Sequence, residues 1–305
     1  MNENYLAIDV GGTAIKYALM NSGREILESG STPTPYKGVQ KYLDTLEGIY
    51  QNYAAQVQGI AMSVPGVIDM DHGICVTGGN LDYIENFPLA EKLAKRCGVP
   101  VTVMNDAKSA ALAEVKSGAL SDIRDGIVLV FGTGIGGALI KDGRLHLGSH
   151  LAAGEFSFII VGDKLEPASA WAFQNGAVAL AAAVAAAKGM KPEQVSGYEV
   201  FNWAEAGDSQ TLAVLDRFTL EIARQIVNLQ TIYDPERFAI GGGISRRPIF
   251  TEYIKKNLKM IYSLFPFGMP EAEVTVCKYH NDANLIGALE NYLERHPLAQ
   301  QEQQP

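Results

Sequence analysis

Laid over each other at an offset of 120, residues 12–24 and 132–144 are identical at seven of 13 positions. The matches are Gly12/Gly132, Thr13/Thr133, Ile15/Ile135, Ala18/Ala138, Leu19/Leu139, Gly23/Gly143 and Arg24/Arg144. An apolar run leads into each copy, YLAIDV at 5–10 and IVLVF at 127–131. The pattern is strand, glycine turn, strand, turn. One hairpin can resemble another by chance, but matched turn glycines at both ends favour an internal duplication. A duplicated hairpin restricts the chain to two α/β halves, each opening with a β-hairpin, and a cleft between them. The length of 305 residues also exceeds what one core usually holds. The expected boundaries are 1–120 and 121–296, with a polar tail at 297–305 (PLAQQEQQP) expected to be disordered.

The segments between follow from spacing. Residues 38–55 and 89–97 predict helices that lead into apolar strands at 57–64 and 99–104. Asn105-Asp106 opens an alanine-rich helix running to Lys116, with Asp a favoured N-cap residue. Long helices are predicted over 168–187 and 209–233, and further ones over 248–262 and 281–295. RFAIGGGI at 237–244 reads as a strand and a glycine turn, and 275–279 as a short strand.

Charge and cysteine usage remove several function classes. Lys+Arg number 25 against 34 Asp+Glu, a net charge of −9, and no basic run exists to grip a nucleic acid or an anionic membrane. The three cysteines (Cys75, Cys97, Cys277) are dispersed and odd in number, so neither a disulfide framework nor a CxxC metal site is expected. Met1-Asn2-Glu3-Asn4 lacks the basic start of a signal peptide. The longest apolar run, Ala177 to Ala187, is 11 residues, against the ~20 a membrane helix needs. A cytoplasmic protein is expected.

Three glycine turns at strand ends suit a nucleotide. Asp9-Val-Gly11-Gly12-Thr13-Ala-Ile-Lys16 combines an acid, two glycines, a hydroxyl and a cation. Backbone N–H groups there can approach phosphate oxygens because no Cβ intervenes, and Asp9 can hold a hydrated Mg²⁺. Gly132-Thr133-Gly134-Ile-Gly-Gly137 satisfies GxGxxG, but a strand and turn follow where a dinucleotide site needs a helix. Gly241-Gly242-Gly243-Ile244-Ser245 is the third turn, and no GxxxxGK[ST] occurs. Asn105-Asp106 places an amide and a carboxylate where a strand meets a helix: either a simple cap, or a base for a substrate hydroxyl. Glu155, in the apolar segment SHLAAGEFSF, fits either a polyol ligand or a surface loop.

Together these residues resemble the ROK family of bacterial sugar kinases and related repressors, which has the actin/hexokinase-like (ribonuclease H-like) fold. The resemblance runs through Asp9-x-Gly-Gly-Thr13-x-x-Lys16, Pro65-Gly66, Gly79-Asn80-Leu81, Asn105-Asp106-Ala107, Gly132-Thr-Gly-x-Gly-Gly137, Ala153-Gly-Glu155 and Gly241-Gly-Gly-Ile-Ser245, and spans residues 5 to about 290. It implies an ATP- and Mg²⁺-dependent kinase acting on a hexose hydroxyl, with a homodimer usual. Asp106 would be the general base. Gly66, Asn80, Asn105 and Glu155 would hold the sugar, residues 11–16 with Thr133 and Gly134 the phosphates, and Gly242 and Gly243 would flank the adenosine.

One departure is informative. Most members follow Gly-Glu with Ile-Gly-His and a CxCGxxGC cluster that binds structural zinc. This chain continues Phe156-Ser157-Phe158, and residues 156–170 contain neither Cys nor His. Zinc is expected to be absent. Glu166 resembles, loosely, the sugar-binding Glu beyond that cluster, whereas His146 and His150 read as loop histidines. With Phe158 as an apolar wall, the anomeric end of the pocket is expected to accept a substituent, as in a β-glucoside kinase. A plain glucokinase with a trimmed loop is the equal alternative, and fructose or N-acetylmannosamine remain open. A repressor would need a helix-turn-helix ahead of Asp9, where only eight residues stand. An actin-like ATPase module would have no use for the Asn105-Asp106 pair and Glu155.

Overall fold

Six of the seven residues of β1 (Asn4–Val10) are buried, because this strand is paired on both edges in the middle of a sheet. The computed structural model of the chain describes residues 3–162 and 164–297. They divide into two compact units, one of residues up to Lys116 together with those from Asp282 onward, the other of Ser117–Asn281.

In the first unit β1 is followed by β2 (Ala14–Asn21), β3 (Ile26–Pro33), α1 (Val39–Gln51) and β4 (Ile60–Val64). Then come β5 (Ile68–Asp69), β6 (Ile74–Thr77), β7 (Glu85–Phe87), α2 (Leu89–Cys97), β8 (Val101–Asn105) and α3 (Asp106–Ser117). The main sheet has the order β3-β2-β1-β4-β8, antiparallel through the hairpin and parallel from β1 to β8. Strands β5 to β7 form a small antiparallel sheet. The core gathers Leu6, Ile8, Tyr42, Leu46, Met62 and Val103 among others.

The second unit repeats the plan. Its elements are β9 (Gly126–Phe131), β10 (Ile135–Lys141), β11 (Arg144–His146), α4 (Trp171–Gln174), α5 (Ala177–Ala187), α6 (Gly197–Glu205) and α7 (Ser209–Tyr233), then β12 (Arg237–Gly241), α8 (Pro248–Tyr262) and β13 (Val274–Val276). The sheet order β11-β10-β9-β12-β13 has the same pairing senses as the first sheet. The repeated hairpins differ in register by one residue: Val10 pairs with Ile15, whereas Phe131 pairs with Ile135. Phe131 packs edge-on against Phe250, with centroids 5.4 Å apart, at the centre of this core.

Two expectations are corrected. The single helix expected over 168–187 is a short turn at Pro167–Ser169, α4 and α5, interrupted at Asn175-Gly176. The interruption turns Ala177 so that its N–H donates to Gly132 O at 2.9 Å, which ties α5 to the second glycine turn. The last helix, α9 (Ala283–Arg295), packs on β1, β4 and β8 and so groups with the first unit, although the expected boundary put residues 121–296 together. Strand β3 went unpredicted because it is mostly exposed and carries no apolar alternation. Pro297 is the last described residue, so the tail expected to be disordered lies otherwise outside the described residues. Among those described, no helix is long and apolar enough to cross a membrane.

Candidate active site

Asn105 is the last residue of β8, held extended by its pairing with Val64, and Asp106 is already helical. Asn105 therefore takes the capping position of α3: its Oδ1 accepts from Lys108 N at 3.0 Å. The reading of Asp106 as a simple N-cap is corrected by this geometry. Asp106 Oδ1 accepts instead from Ala107 N at 2.8 Å and from Asn105 Nδ2 at 3.0 Å. The positive end of the helix macrodipole favours the ionised carboxylate at this position. Asn105 Nδ2 also donates to Gly66 O at 2.9 Å. Gly66 has φ +96°, and a Cβ there would lie 2.2 Å from Thr77 O and 2.7 Å from Gly79 N, so only glycine lets these turns meet. Asn80 Nδ2 lies 3.6 Å from where a Cβ on Gly12 would stand. Gly12, Gly66, Asn80, Asn105 and Asp106 are thus linked through near neighbours within the first unit.

The first glycine turn is strapped from outside. Thr34 Oγ1 donates to Gly11 O at 2.7 Å, Thr34 N to Thr13 O at 3.1 Å, and the Tyr36 hydroxyl to Gly12 O at 2.6 Å. Thr13 and Lys16 are exposed. Asp9, across the hairpin from Lys16, is only 7% exposed. Burial pushes its pKa up, opposed by hydrogen bonds from Asn284 and Ser63 and by the Lys16 charge. Asn284 and Ser63 were not identified from sequence; a partner 275 residues away leaves no trace in local spacing.

In the second unit, Thr133 is exposed and Gly134 half-buried at the glycine turn. Thr133 lines a cavity of about 290 Å³ whose other walls include Ala177, Ala181, Pro192, Val195 and Ser196. Its apolar walls come from α5 and from Pro192 and Val195, residues that sequence reasoning had not assigned to a site. Gly242 and Gly243 do not line this cavity. Gly242 follows β12 with φ +89°, and a Cβ there would stand 2.1 Å from Phe131 O. Glu155 is half-buried at the start of the 156–158 turn. Glu166 is exposed and makes no capping hydrogen bond to the Pro167–Ser169 turn. Phe156 is the buried aromatic, edge-on to Trp171, whereas Phe158 is 72% exposed. His146 and His150 are exposed, and no group of three His, Cys, Asp or Glu able to hold a metal occurs among the described residues.

The family model "ROK family" matches residues 5–294. A beta-glucoside kinase of Listeria monocytogenes is 30% identical over 297 residues, covering 94% of this chain and 97% of the relative. A ROK family protein from Streptococcus pneumoniae, solved in complex with sucrose, superposes with a TM-score of 0.85 at 31% identity and covers 96% of this chain and 99% of that one. A ROK family glucokinase from Streptomyces griseus, in complex with glucose and AMPPNP, has a TM-score of 0.82 at 23% identity over 94% and 98% of the two chains. The fold is the actin/hexokinase-like class expected from the motifs, and the chain belongs to the ROK family.

Proposed function

We propose that the chain is an ATP-dependent kinase that phosphorylates a hydroxyl of a hexose or hexoside, with Asp106 as the general base. The observation that carries this reading is the division of labour at the start of α3: Asn105 caps the helix, so the Asp106 carboxylate is not needed for that role. In the reaction Asp106 accepts the proton of the attacking hydroxyl as its oxygen bonds to the γ-phosphorus and ADP departs. Asn105, Gly66, Asn80 and Glu155 hold the sugar, with Glu166 a further contact on the side of the departed zinc loop. The N–H groups of residues 11–13, with Lys16, Thr133 and Gly134, hold the phosphates. The adenosine lies between the Gly242-Gly243 turn and the apolar cavity beside Thr133.

The residues fit a hydrated divalent cation. Asp9 is a carboxylate with one oxygen engaged by two neutral donors and the other without a hydrogen-bond partner among the described residues. Asp9 would hold Mg²⁺ through water, and the cation when bound neutralises charge on the β- and γ-phosphates.

For the substrate we propose a β-glucoside phosphorylated at its distal 6-hydroxyl. Support comes from the beta-glucoside kinase relative, from the sucrose held by the streptococcal one, and from the exposed ring of Phe158, which suits the flat face of a second sugar or an aglycone. The buried cysteines Cys75, Cys97 and Cys277 are in no disulfide among the described residues, which suits the cytosol. A homodimer is proposed from the family alone and is tested by light scattering.

Two measurements test the reading. Asp106→Asn is expected to lower turnover at least ~10²-fold, the low end for loss of a general base, while ADP and sugar still bind. Retention of more than a tenth of wild-type turnover overturns the assignment. ADP release is then compared for glucose, methyl-β-glucoside and cellobiose. Glycosides a hundredfold or more below glucose in kcat/KM indicate a glucokinase, and ADP release indifferent to every sugar indicates an actin-like ATPase module.

A further inference from the structure

Asn284, the second residue of α9, donates from Nδ2 to Asp9 Oδ1 at 2.9 Å. Ser63 Oγ, on β4, donates to the same oxygen at 3.0 Å. Asp9 Oδ1 thus takes two donors from two elements distant in sequence. Oδ2 has no hydrogen-bond partner among the described residues, and it is not one of the sealed, unpartnered side-chain oxygens. The character of the donors matters as much as their number. A lysine or arginine in contact would orient the carboxylate but also cancel its charge, whereas an amide and a hydroxyl orient it and leave the charge available. No ion pair to Asp9 occurs among the described residues, and Lys16 is exposed.

The reach of Asn284 is fixed by the packing of its helix. One turn on, Gly287 meets α3 so closely that a Cβ would stand 1.7 Å from Ser109 O. Ser109 Oγ in turn donates to Asn105 O at 2.9 Å. Helix α9 therefore cannot slide along the sheet without disturbing the helix that carries Asp106.

We propose that Asn284 is a positioning residue for Asp9, its amide holding the carboxylate so that Oδ2 is presented to the divalent cation that accompanies the nucleotide. The proposal rests on the reading of Asp9 as the cation-holding carboxylate. Its test is calorimetric titration of ADP into the full-length chain, once with saturating Mg²⁺ and once in EDTA, together with Mg²⁺ titration of turnover. Asn284→Leu removes the donor while keeping the branching at Cγ. It is expected to reduce the Mg²⁺-dependent gain in ADP affinity about tenfold or more, the scale of one hydrogen bond to a charged group. The Mg²⁺ concentration for half-maximal turnover should rise by the same factor, with ADP affinity in EDTA unchanged. Asn284→Gln, which keeps an amide donor, should restore most of the gain. Asn284→Ser, too short to reach, carries the same expectation as Asn284→Leu and decides the matter if that variant does not fold. Wild-type Mg²⁺ dependence in either folded variant overturns the proposal. Asp9→Asn separates the two levels: if it loses the Mg²⁺-dependent gain while the Asn284 variants keep it, the positioning role alone is wrong. If Asp9→Asn keeps the gain, the reading of Asp9 fails and the proposal with it.

Discussion

Asn105 makes three hydrogen bonds with one side chain, and two substitutions separate them. Asn105→Ala removes the cap on Lys108 N, the donor to Gly66 O and the donor to Asp106. Asn105→Asp keeps the cap, because Asp and Asn rank equally there, but loses both donors and sets a second carboxylate about 3 Å from the Asp106 oxygen. The lost cap costs about 1 kcal/mol, and the half-buried Gly66 carbonyl left without its donor about 1 kcal/mol more. Asn105→Ala should therefore lose roughly 2 kcal/mol, or roughly 4–8 °C in Tm. Asn105→Asp should lose a similar amount at pH 8, with like-charge repulsion replacing the cap loss, and recover part of it on acidification. Both lose a hydrogen bond to the charged base, about 1.5–3 kcal/mol, so kcat should fall roughly 10–100-fold. The two then differ in degree. The lost donor raises the pKa of Asp106 in both, and the neighbouring negative charge raises it further, so the acid limb of the kcat–pH profile should move upward in both variants and further in Asn105→Asp. Calorimetry and a coupled ADP assay across pH 5–9 read both effects. An acid limb unmoved in Asn105→Asp would refute the contact between the two side chains and the role of Asp106 together.

Other groups give shorter tests. Burial raises the pKa of Asp9, so its ionised form is disfavoured in the folded state; the penalty is present above the folded pKa and absent below the unfolded one. Asp9→Asn should accordingly raise Tm at pH 8, with the gain shrinking as pH falls, while Mg²⁺-supported turnover is lost; an unchanged or lower Tm at pH 8 contradicts this. Asp208, which caps α7 and pairs with Lys188, has its pKa pulled down to about 2, chiefly by the Lys188 hydrogen bond and next by Thr211. Its contribution is present above about pH 4 and lost toward pH 2, so the Tm deficit of Asp208→Ala should narrow between those values. Elemental analysis of the purified protein should find no stoichiometric zinc, since residues 156–170 supply no Cys or His; about one zinc per chain contradicts that reading.

What was legible in the sequence, and what was not, divides by the range of the interaction that decides it. The duplicated hairpin was readable because strand alternation and turn glycines are local, and both sheets carry it in the same order. Its one-residue register difference was not, because register depends on how each turn closes, not on which residues recur. The break at Asn175-Gly176 was a local signal submerged in an alanine-rich run that reads as helix on every face. The Asn105-Asp106 pair is the more instructive case. Both residues are among the best caps, so residue preference cannot choose between them. The choice falls to β8: its pairing to Val64 carries the extended conformation as far as Asn105, which makes Asn105 the half-in residue and pushes Asp106 into the helix. A single-residue shift in that pairing would exchange the two roles and make the carboxylate a cap. Sequence motifs could therefore nominate Asp106, but the strand register decides that Asn105, and not Asp106, takes the capping contact. The same holds for Asp9, whose partner Asn284 comes from a helix at the other end of the chain and is aligned by a glycine contact on α3. In this fold the side chains proposed to act sit in short motifs, while the atoms that orient them come from β4, β8 and α9.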